Sequence, residues 1–312
     1  MGSFMLRKIV RLVLVLFGVS LLTFGVLHMI PGDPVRVLLG DMGGGAAGDQ
    51  SQDAYANLEK ELGLDKPLPV QYTNYIFNAV QGDFGKSFQR QRPVSDSIRD
   101  GLPSTIELTI AAMVITVVVG VTLGVLAALK QGTWWDTFIM IISLVGLAMP
   151  SFWLGLLLLM IFSFQLGWFP VRGEGFSSLV LPAITLGLGG AGTVARLARA
   201  SLLEVMRNEF IITARAKGLK ERLVITRHAL VNSLIPVVTV AGLQFGQLLA
   251  GAFIVETVFA RPGIGRLLVD AVLSRDYPMV QGVALVAAVG YVLVNFVVDL
   301  SYGWLDPRIR NA

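Results

Sequence analysis

The chain has 312 residues, 54% of them hydrophobic and only 15% charged, with a formal net charge of +4. A water-soluble domain carries about a quarter charged residues, so this composition excludes an ordinary soluble globular fold. Cysteine is absent, which excludes disulfides, thiol catalysis and thiolate metal sites together, and the two histidines, His28 and His228, stand in different segments.

Six runs free of Asp, Glu, Lys and Arg recur, at 12–30, 108–129, 137–166, 175–195, 229–255 and 277–298. A helix needs about 20 such residues to cross about 30 Å of hydrocarbon. The predicted architecture is therefore an all-α membrane protein with six transmembrane helices. Residues 1–8 form the N-terminus, 9–30 the first span and 31–101 a long loop. The remainder, 102–312, is a core with spans at about 105–129, 137–166, 178–198, 229–256 and 277–300 and a cytoplasmic segment at 204–228. No small-x-small cleavage site follows the first run before Pro31-Gly32-Asp33-Pro34, so it is expected to be a retained span, not a cleaved signal.

Orientation follows from the basic residues. Arg7, Lys8 and Arg11 precede the first span, residues 196–227 hold eight Lys/Arg against three acids, and Arg308 and Arg310 close the chain. With six spans these three places share one side, which the positive-inside rule makes cytoplasmic. Both termini are then inside and 31–101 is outside. That loop holds seven basic and ten acidic residues and is too long to weigh on orientation. Its Gly-rich stretch 41–49 reads as flexible, and 53–62 and 70–80 read as short helices, the second preceded by Lys66-Pro67-Leu68-Pro69. Gly82-Asp83-Phe84-Gly85-Lys86-Ser87-Phe88 then fits either a dock for an extracytoplasmic partner or a cap over the mouth of the bundle. Gly85-Lys86-Ser87 is not a phosphate loop, because Val80 stands where that loop needs its first glycine.

Within the membrane runs, Gly187-Leu188-Gly189-Gly190-Ala191-Gly192 matches a dinucleotide fingerprint by letter only. The fingerprint requires a strand before it, and none is expected here. Small residues that let helices approach closely are the expected meaning, as for Gly120-x-x-x-Gly124 and Gly242-x-x-x-Gly246. Pro150, Pro182 and Pro236 remove backbone hydrogen bonds and are expected to bend their helices. Met149, Pro150 and Phe152 are candidate pore-lining residues. Gln244 and Gln247 either line a polar path or bond between helices, the latter being expected. Glu256 either meets substrate at an outer gate or pairs with Arg261 or Arg266, the pairing being expected. No zinc-hydrolase motif, metal-ligand cluster, nucleophile elbow or Walker motif is present, so the chain is not expected to be an enzyme or to hold a cofactor.

The segment 196–230 mixes helix formers with positive charge, and Gly218 marks a helix end. Phe210, Ile211, Ala214 and Leu219 are expected to share much of one face. A basic helix lying on anionic lipid would explain the charge alone. A helix inserted into a groove of a soluble ATPase would also explain the small residues Thr213, Ala214 and Ala216.

Thr213-Ala214-Arg215-Ala216-Lys217-Gly218-Leu219, followed by Arg227-His228-Ala229-Leu230, Asn232 and Leu234-Ile235-Pro236, closely resembles the cytoplasmic signature of bacterial ABC-transporter permeases of the dipeptide/oligopeptide/nickel group. Pro31-Gly32-Asp33-Pro34, Gly82-Asp83-Phe84-Gly85, Pro262-Gly263-Ile264-Gly265, Arg275-Asp276-Tyr277 and Asp306-Pro307-Arg308-Ile309-Arg310 agree with it in order. Where the general importer consensus opens with Glu-Ala-Ala, this chain has Ile212-Thr213-Ala214 with a longer spacing to Pro236, as that particular group does.

The resemblance implies a pore subunit in a bacterial cytoplasmic membrane, surrounded by membrane lipid. Its expected partners are a homologous second permease, two nucleotide-binding ATPase subunits carrying ATP and Mg, and an extracytoplasmic solute-binding protein; nucleic acid is not expected. It places ATPase coupling on Glu209, Phe210, Thr213, Ala214, Arg215, Ala216, Lys217, Gly218 and Leu219. Short peptides are the expected cargo, with glutathione, a nickel chelate or a small oligosaccharide as alternatives. An ion-driven secondary transporter is the alternative from another class; it would call for internal repeats and midplane acids that the sequence lacks.

Overall fold

The computed structural model describes residues 2–29, 55–56, 59–60, 65–171 and 175–305. Among them the regular elements are helical. The chain runs through α1 (Gly2–Met29), α2 (Leu68–Val80), α3 (Val94–Leu129), α4 (Trp134–Ala148) and α5 (Ser151–Leu158), the last continued by a π-helix, Leu159–Gln165. It goes on through α6 (Phe176–Val205), α7 (Glu209–Ala216), a turn Glu221–Leu223 with a π-helix Val224–Ala229, α8 (Leu230–Val258), α9 (Ile264–Leu273) and α10 (Tyr277–Leu305). The Pro31-Gly32-Asp33-Pro34 motif, the Gly-rich stretch and the Asp306-Pro307-Arg308-Ile309-Arg310 tail lie outside the described residues. Of the expected helix at 53–62, residues 55–56 and 59–60 are described and helical.

Among the described residues, four helical stretches are long and apolar enough to cross a bilayer alone: Val94–Leu129, Phe176–Val205, Glu221–Val258 and Tyr277–Val298. The expected third span, 137–166, is broken: α4 and α5 meet at a bend of 105° and make a fifth span only if counted as one. The cause is local. Proline disfavours the α region for the residue before it, and Met149 (φ −78°, ψ 126°) and Pro150 (φ −60°, ψ 132°) are both extended. Pro182 and Pro236, by contrast, sit inside unbroken α6 and α8. The described apolar part of α1, Leu12–Gly25, is shorter than a span. Helix α3 starts at Val94, well before the expected 105, because its first turns are charged and a search for uncharged runs passes over them.

The chain folds as two compact units, Met1–Leu102 with Leu267–Val292 and Pro103–Arg266 with Leu293–Ala312. In the larger unit α6 is the central helix: 72% of its apolar window is buried, against 28% for α3 and 33% for α8. Its glycines explain this. A Cβ on Gly187 would lie 2.7 Å from the Ala112 carbonyl of α3, one on Gly190 would lie 2.9 Å from Thr116, and one on Gly192 would strike the Ser143 carbonyl of α4. From the other side, a Cβ on Gly120 would lie 2.9 Å from the Ala191 carbonyl, and one on Gly124 would strike that of Ala195. The Gly187–Gly192 motif is therefore a contact face. Lipid tails are as apolar as leucine, so close backbone packing supplies what a hydrophobic driving force cannot. Hydroxyl and amide bonds fix the register: Thr116 donates to the Gly187 carbonyl (2.8 Å), Ser201 to that of Ser233 (2.9 Å) and Gln244 to that of Gly190 (3.4 Å).

In the smaller unit, α2 lies against α1. Tyr72 and Ser20 share a 2.8 Å hydroxyl bond, and Phe24 meets Tyr72 edge-on with ring centroids 5.4 Å apart. Burial, and Tyr72 beside it, push the Tyr75 phenol above its ordinary value, so it stays a neutral donor to the Gln281 carbonyl (3.3 Å).

Candidate functional site

Helix α7 is short because its ends are chemically marked. Asn208, at its N-cap, is extended (φ −72°, ψ 148°), and its carbonyl accepts from Ile211 (3.0 Å). At the other end Gly218 takes φ +78°, and the amides of Lys217, Gly218 and Leu219 turn back to the carbonyls of Thr213, Arg215 and Ala214. A left-handed residue after a helix closes it in this way, and glycine adopts that conformation without a Cβ penalty. A Cβ on Gly218 would meet nothing within 4 Å. The constraint here is backbone conformation, not space.

Ile211 is fully buried and Ala214 nearly so. They pack with Leu202 and Val205 of α6, Ala128 of α3, and Val224 and Ala229 of the π-segment that leads into α8, with Leu219 partly buried beside them. One short helix thus rests on the ends of three long ones. Its opposite side is exposed at Glu209, Phe210, Ile212, Thr213, Arg215, Ala216 and Lys217. Phe210 does not share the buried face expected of it; it is 43% exposed, and Ile212, which hydrophobic patterning alone does not single out, is 58% exposed. Ile211 and Ala214 centre the inner face; at about 100° per residue Phe210 stands roughly 70° off their mean direction, at the edge of that face, and Ile212 roughly 130° off it. Arg215 forks onto Glu221 through Nε (3.0 Å) and Nη2 (2.6 Å), which holds its guanidinium above the ordinary value. That pair is exposed and contributes little to stability. A cavity of about 340 Å³ opens between the ends of α3 and α6 and the turn at Glu221, walled by Leu129, Leu202, Met206, Arg207, Glu221 and Ile225 among others.

Two buried polar sites complete the larger unit. Asp136, at the start of α4, accepts both forks of Arg199 of α6 at 2.6 Å and also the Gly132 amide at 3.2 Å. Its side chain is 8% exposed. Both residues lie just outside the uncharged runs 137–166 and 175–195. Glu256, expected to pair with Arg261 or Arg266, is fully buried, and its Oε2 accepts the amides of Gly265 (2.8 Å) and Arg266 (3.3 Å). Thr105 accepts the Ile264 amide (2.9 Å), and Arg261 reaches Glu107 instead (2.9 Å). The first turn of α9 is thereby capped, and the glycines of Pro262-Gly263-Ile264-Gly265 make room. A Cβ on Gly263 would strike the Glu256 carboxylate, and one on Gly265 would strike Phe253.

The other candidates separate. Met149 is half-buried, Pro150 and Phe152 are exposed at the α4–α5 break, Gln247 is exposed, and Gln244 is buried between α8 and α6. Among the described residues no cluster of His, Asp or Glu could hold a metal.

A bundle organised round one glycine-lined helix, with a short helix seated on the ends of three others and several helices apolar enough to cross a bilayer, is the architecture of a multi-pass membrane protein. Residues 120–311 match the family described as binding-protein-dependent transport system inner membrane component, and residues 1–109 match the corresponding N-terminal family. The chain belongs to this family of ABC-transporter permeases. It is 43% identical to the di/tripeptide transport system permease protein DppB of Pseudomonas aeruginosa, over 100% of this chain and 99% of that one. It is 40% identical to the dipeptide transport system permease protein DppB of Alkalihalophilus pseudofirmus over 99% and 100%, and 42% identical to the glutathione transport system permease protein GsiC of Escherichia coli over 99% of each. Its fold is similar to a chain of the MetNI methionine ABC transporter in an inward-facing conformation, with TM-score 0.57 and 18% identity, covering 67% of this chain and 96% of that one.

Proposed function

We propose that this chain is the membrane-spanning half-pore of an ATP-driven importer of short peptides. It lies in a bacterial cytoplasmic membrane with both termini inside and crosses six times, α4 with α5 counting as one span and α1 as the first. A homologous permease completes the pore, two ATPase subunits supply the energy, and an extracytoplasmic binding protein delivers the peptide. The chain itself carries no catalytic residue or cofactor; ATP and Mg belong to the partner subunits. The peptide cargo is proposed from the di- and tripeptide permeases among its relatives, and glutathione, itself a tripeptide, is the second reading.

The observation that carries the mechanism is the seating of α7. Its inner face is locked to the ends of α3, α6 and α8 through Ile211 and Ala214, while its outer face presents Phe210 and Ile212 between charged residues. Apolar side chains ringed by charge on an exposed short helix suit insertion into a groove of a soluble partner. Closure of the ATPase pair would displace α7, and the buried cluster would pass that displacement to three membrane helices together. Glu256 serves the fold as the cap of α9, and Gln244 as an interhelical bond. Met149, Pro150 and Phe152 at the break, with Gln247, are the proposed pore-facing residues.

Because the chain has no cysteine, a cysteine introduced at one position is the only thiol this chain contributes. In the purified complex, Phe210→Cys and Ile212→Cys are expected to cross-link to an ATPase subunit in a nucleotide-dependent manner, and Ile211→Cys is not. Equal cross-linking of all three, or co-purification without any ATPase, overturns the assignment.

A further inference from the structure

Two motifs far apart in sequence meet in the smaller unit. Asp276, only 2% exposed, gathers four donors: the Ser87 hydroxyl, the amides of Phe88 (3.1 Å) and Gln89 (3.3 Å), and the Met279 amide in the first turn of α10 (3.3 Å). One carboxylate therefore both caps α10 and fixes the loop that follows Gly82-Asp83-Phe84-Gly85. The loop closes on itself, with Ser87 donating to the Arg92 carbonyl and Val94 to that of Gly85, each at 3.0 Å. Its base is seated on α10, where a Cβ on Gly282 would lie 2.7 Å from Val94 and 3.0 Å from Phe84. Gln91 in the loop (φ 52°) and Arg275, the residue before Asp276 (φ 57°), are both left-handed. Non-glycine residues keep that conformation only where their surroundings over-determine it.

The inner side of the loop is thus fixed, and its outer side displays cations. Lys86 and Arg90 are exposed and pair with no carboxylate among the described residues. The nearby Asp83 accepts the Gly85 amide, and Asp100 is taken by Arg92.

We propose that loop 85–93 is the surface on which an acidic face of the extracytoplasmic binding protein docks, and that Asp276 is the positioning residue joining that contact to α10. The proposal rests on the importer reading above, which places this loop outside. A cationic surface on a backbone held by a buried carboxylate loses little freedom on docking, and opposite charge speeds encounter with an acidic partner. A force applied at Lys86 or Arg90 reaches Asp276 through three hydrogen bonds from the loop and passes to α10 through the fourth, from the Met279 amide.

The test uses the complete complex in lipid nanodiscs, with ATPase activity titrated against its binding protein at two salt concentrations. For K86E/R90E the binding protein concentration giving half-maximal stimulation is expected to rise at least tenfold and to lose most of its salt dependence. Asp276→Asn must turn an N–H toward one pair of its donors, so the maximal stimulation is expected to fall by half or more with little change in half-saturation. Ser87→Thr, which keeps the hydroxyl, retains the stimulation that Ser87→Ala loses. Wild-type titration curves for both K86E/R90E and Asp276→Asn overturn the proposal. A loss in Asp276→Asn that only tracks thermal melting, with full stimulation per folded complex, reduces Asp276 to a structural cap and overturns its positioning role. A wild-type complex that hydrolyses ATP yet responds to no binding protein refutes the importer reading instead.

Discussion

Substitution of Gly218 isolates the backbone geometry that ends α7. With φ at +78° and no atom within 4 Å of an added Cβ, the whole effect of a side chain is conformational. An L-residue in the left-handed region costs roughly 1–2 kcal/mol, with β-branched residues at the upper end and asparagine, which tolerates that region, well below. The helix is docked through Ile211 and Ala214 alone as fully seated side chains, and burying one isoleucine contributes about 1.5–3 kcal/mol. The strain is therefore comparable with the docking free energy, and about 2 kcal/mol shifts the seated population roughly thirty-fold. In proteoliposomes containing the whole complex, Gly218→Val is expected to lower ATP-coupled peptide uptake at least tenfold, Gly218→Ala less, and Gly218→Asn little. All three should insert and co-purify with the ATPase. Equal activity of the valine and asparagine variants would refute the reasoning, because a steric or purely electrostatic role for this position does not separate them.

Two further substitutions test the packing of α6. Breaking the Asp136–Arg199 pair with Arg199→Met leaves a carboxylate 8% exposed without its partner; the cost expected from thermal melting is about 3 kcal/mol, and Asp136→Leu added to it should recover most of the loss. Gly192→Val drives a side chain into the Ser143 carbonyl and is expected to destabilise by about 1–3 kcal/mol, whereas Gly189→Ala, with nothing within 4 Å of its Cβ, should melt like the wild type.

What was legible in the sequence was whatever depends on runs and on local chemistry. Uncharged stretches marked the apolar parts of the long helices α3, α6, α8 and α10, Gly218 marked the end of α7, and the Gly187–Gly192 motif could be read as a packing face because no strand precedes it. What stayed hidden depends on partners distant in sequence. Arg261 and Glu256 are close enough to suggest a pair, yet Arg261 reaches back 154 residues to Glu107. The Glu256 carboxylate goes instead to backbone amides, donors that no residue letter reveals. Phe210 looked like a core residue by hydrophobicity, but a helix this short buries a single stripe, and Ile211 and Ala214 fill it. The break at Met149-Pro150 was marked by proline, as were Pro182 and Pro236, where the helix continues; composition does not say which proline takes an extended predecessor. Asp276 and Ser87, 189 residues apart, carry motif letters whose shared purpose appears only when the loop closes.

The π-segment Val224–Ala229 supplies the last test, because it stands in the path from α7 to α8. A π-turn holds one residue more than the α-helix it interrupts, and such bulges concentrate at functional sites. Deleting one residue there straightens the helix without rotating the residues beyond it, whereas deleting one from a regular stretch turns every later side chain by about 100°. Thr226 is the residue to remove: it is exposed, and its hydroxyl only closes onto the Arg222 carbonyl within the same turn (2.8 Å). Val224 and Ala229 belong to the cluster beneath α7, so the register of this segment sets how α8 meets it. The Thr226 deletion is therefore expected to assemble into the complex and to sustain basal ATP hydrolysis while losing most peptide uptake. Deletion of Val240, inside regular α8, should prevent assembly. If the Thr226 deletion couples hydrolysis to uptake like the wild type, the π-turn is a packing accident and the route from α7 runs through α3 and α6 alone.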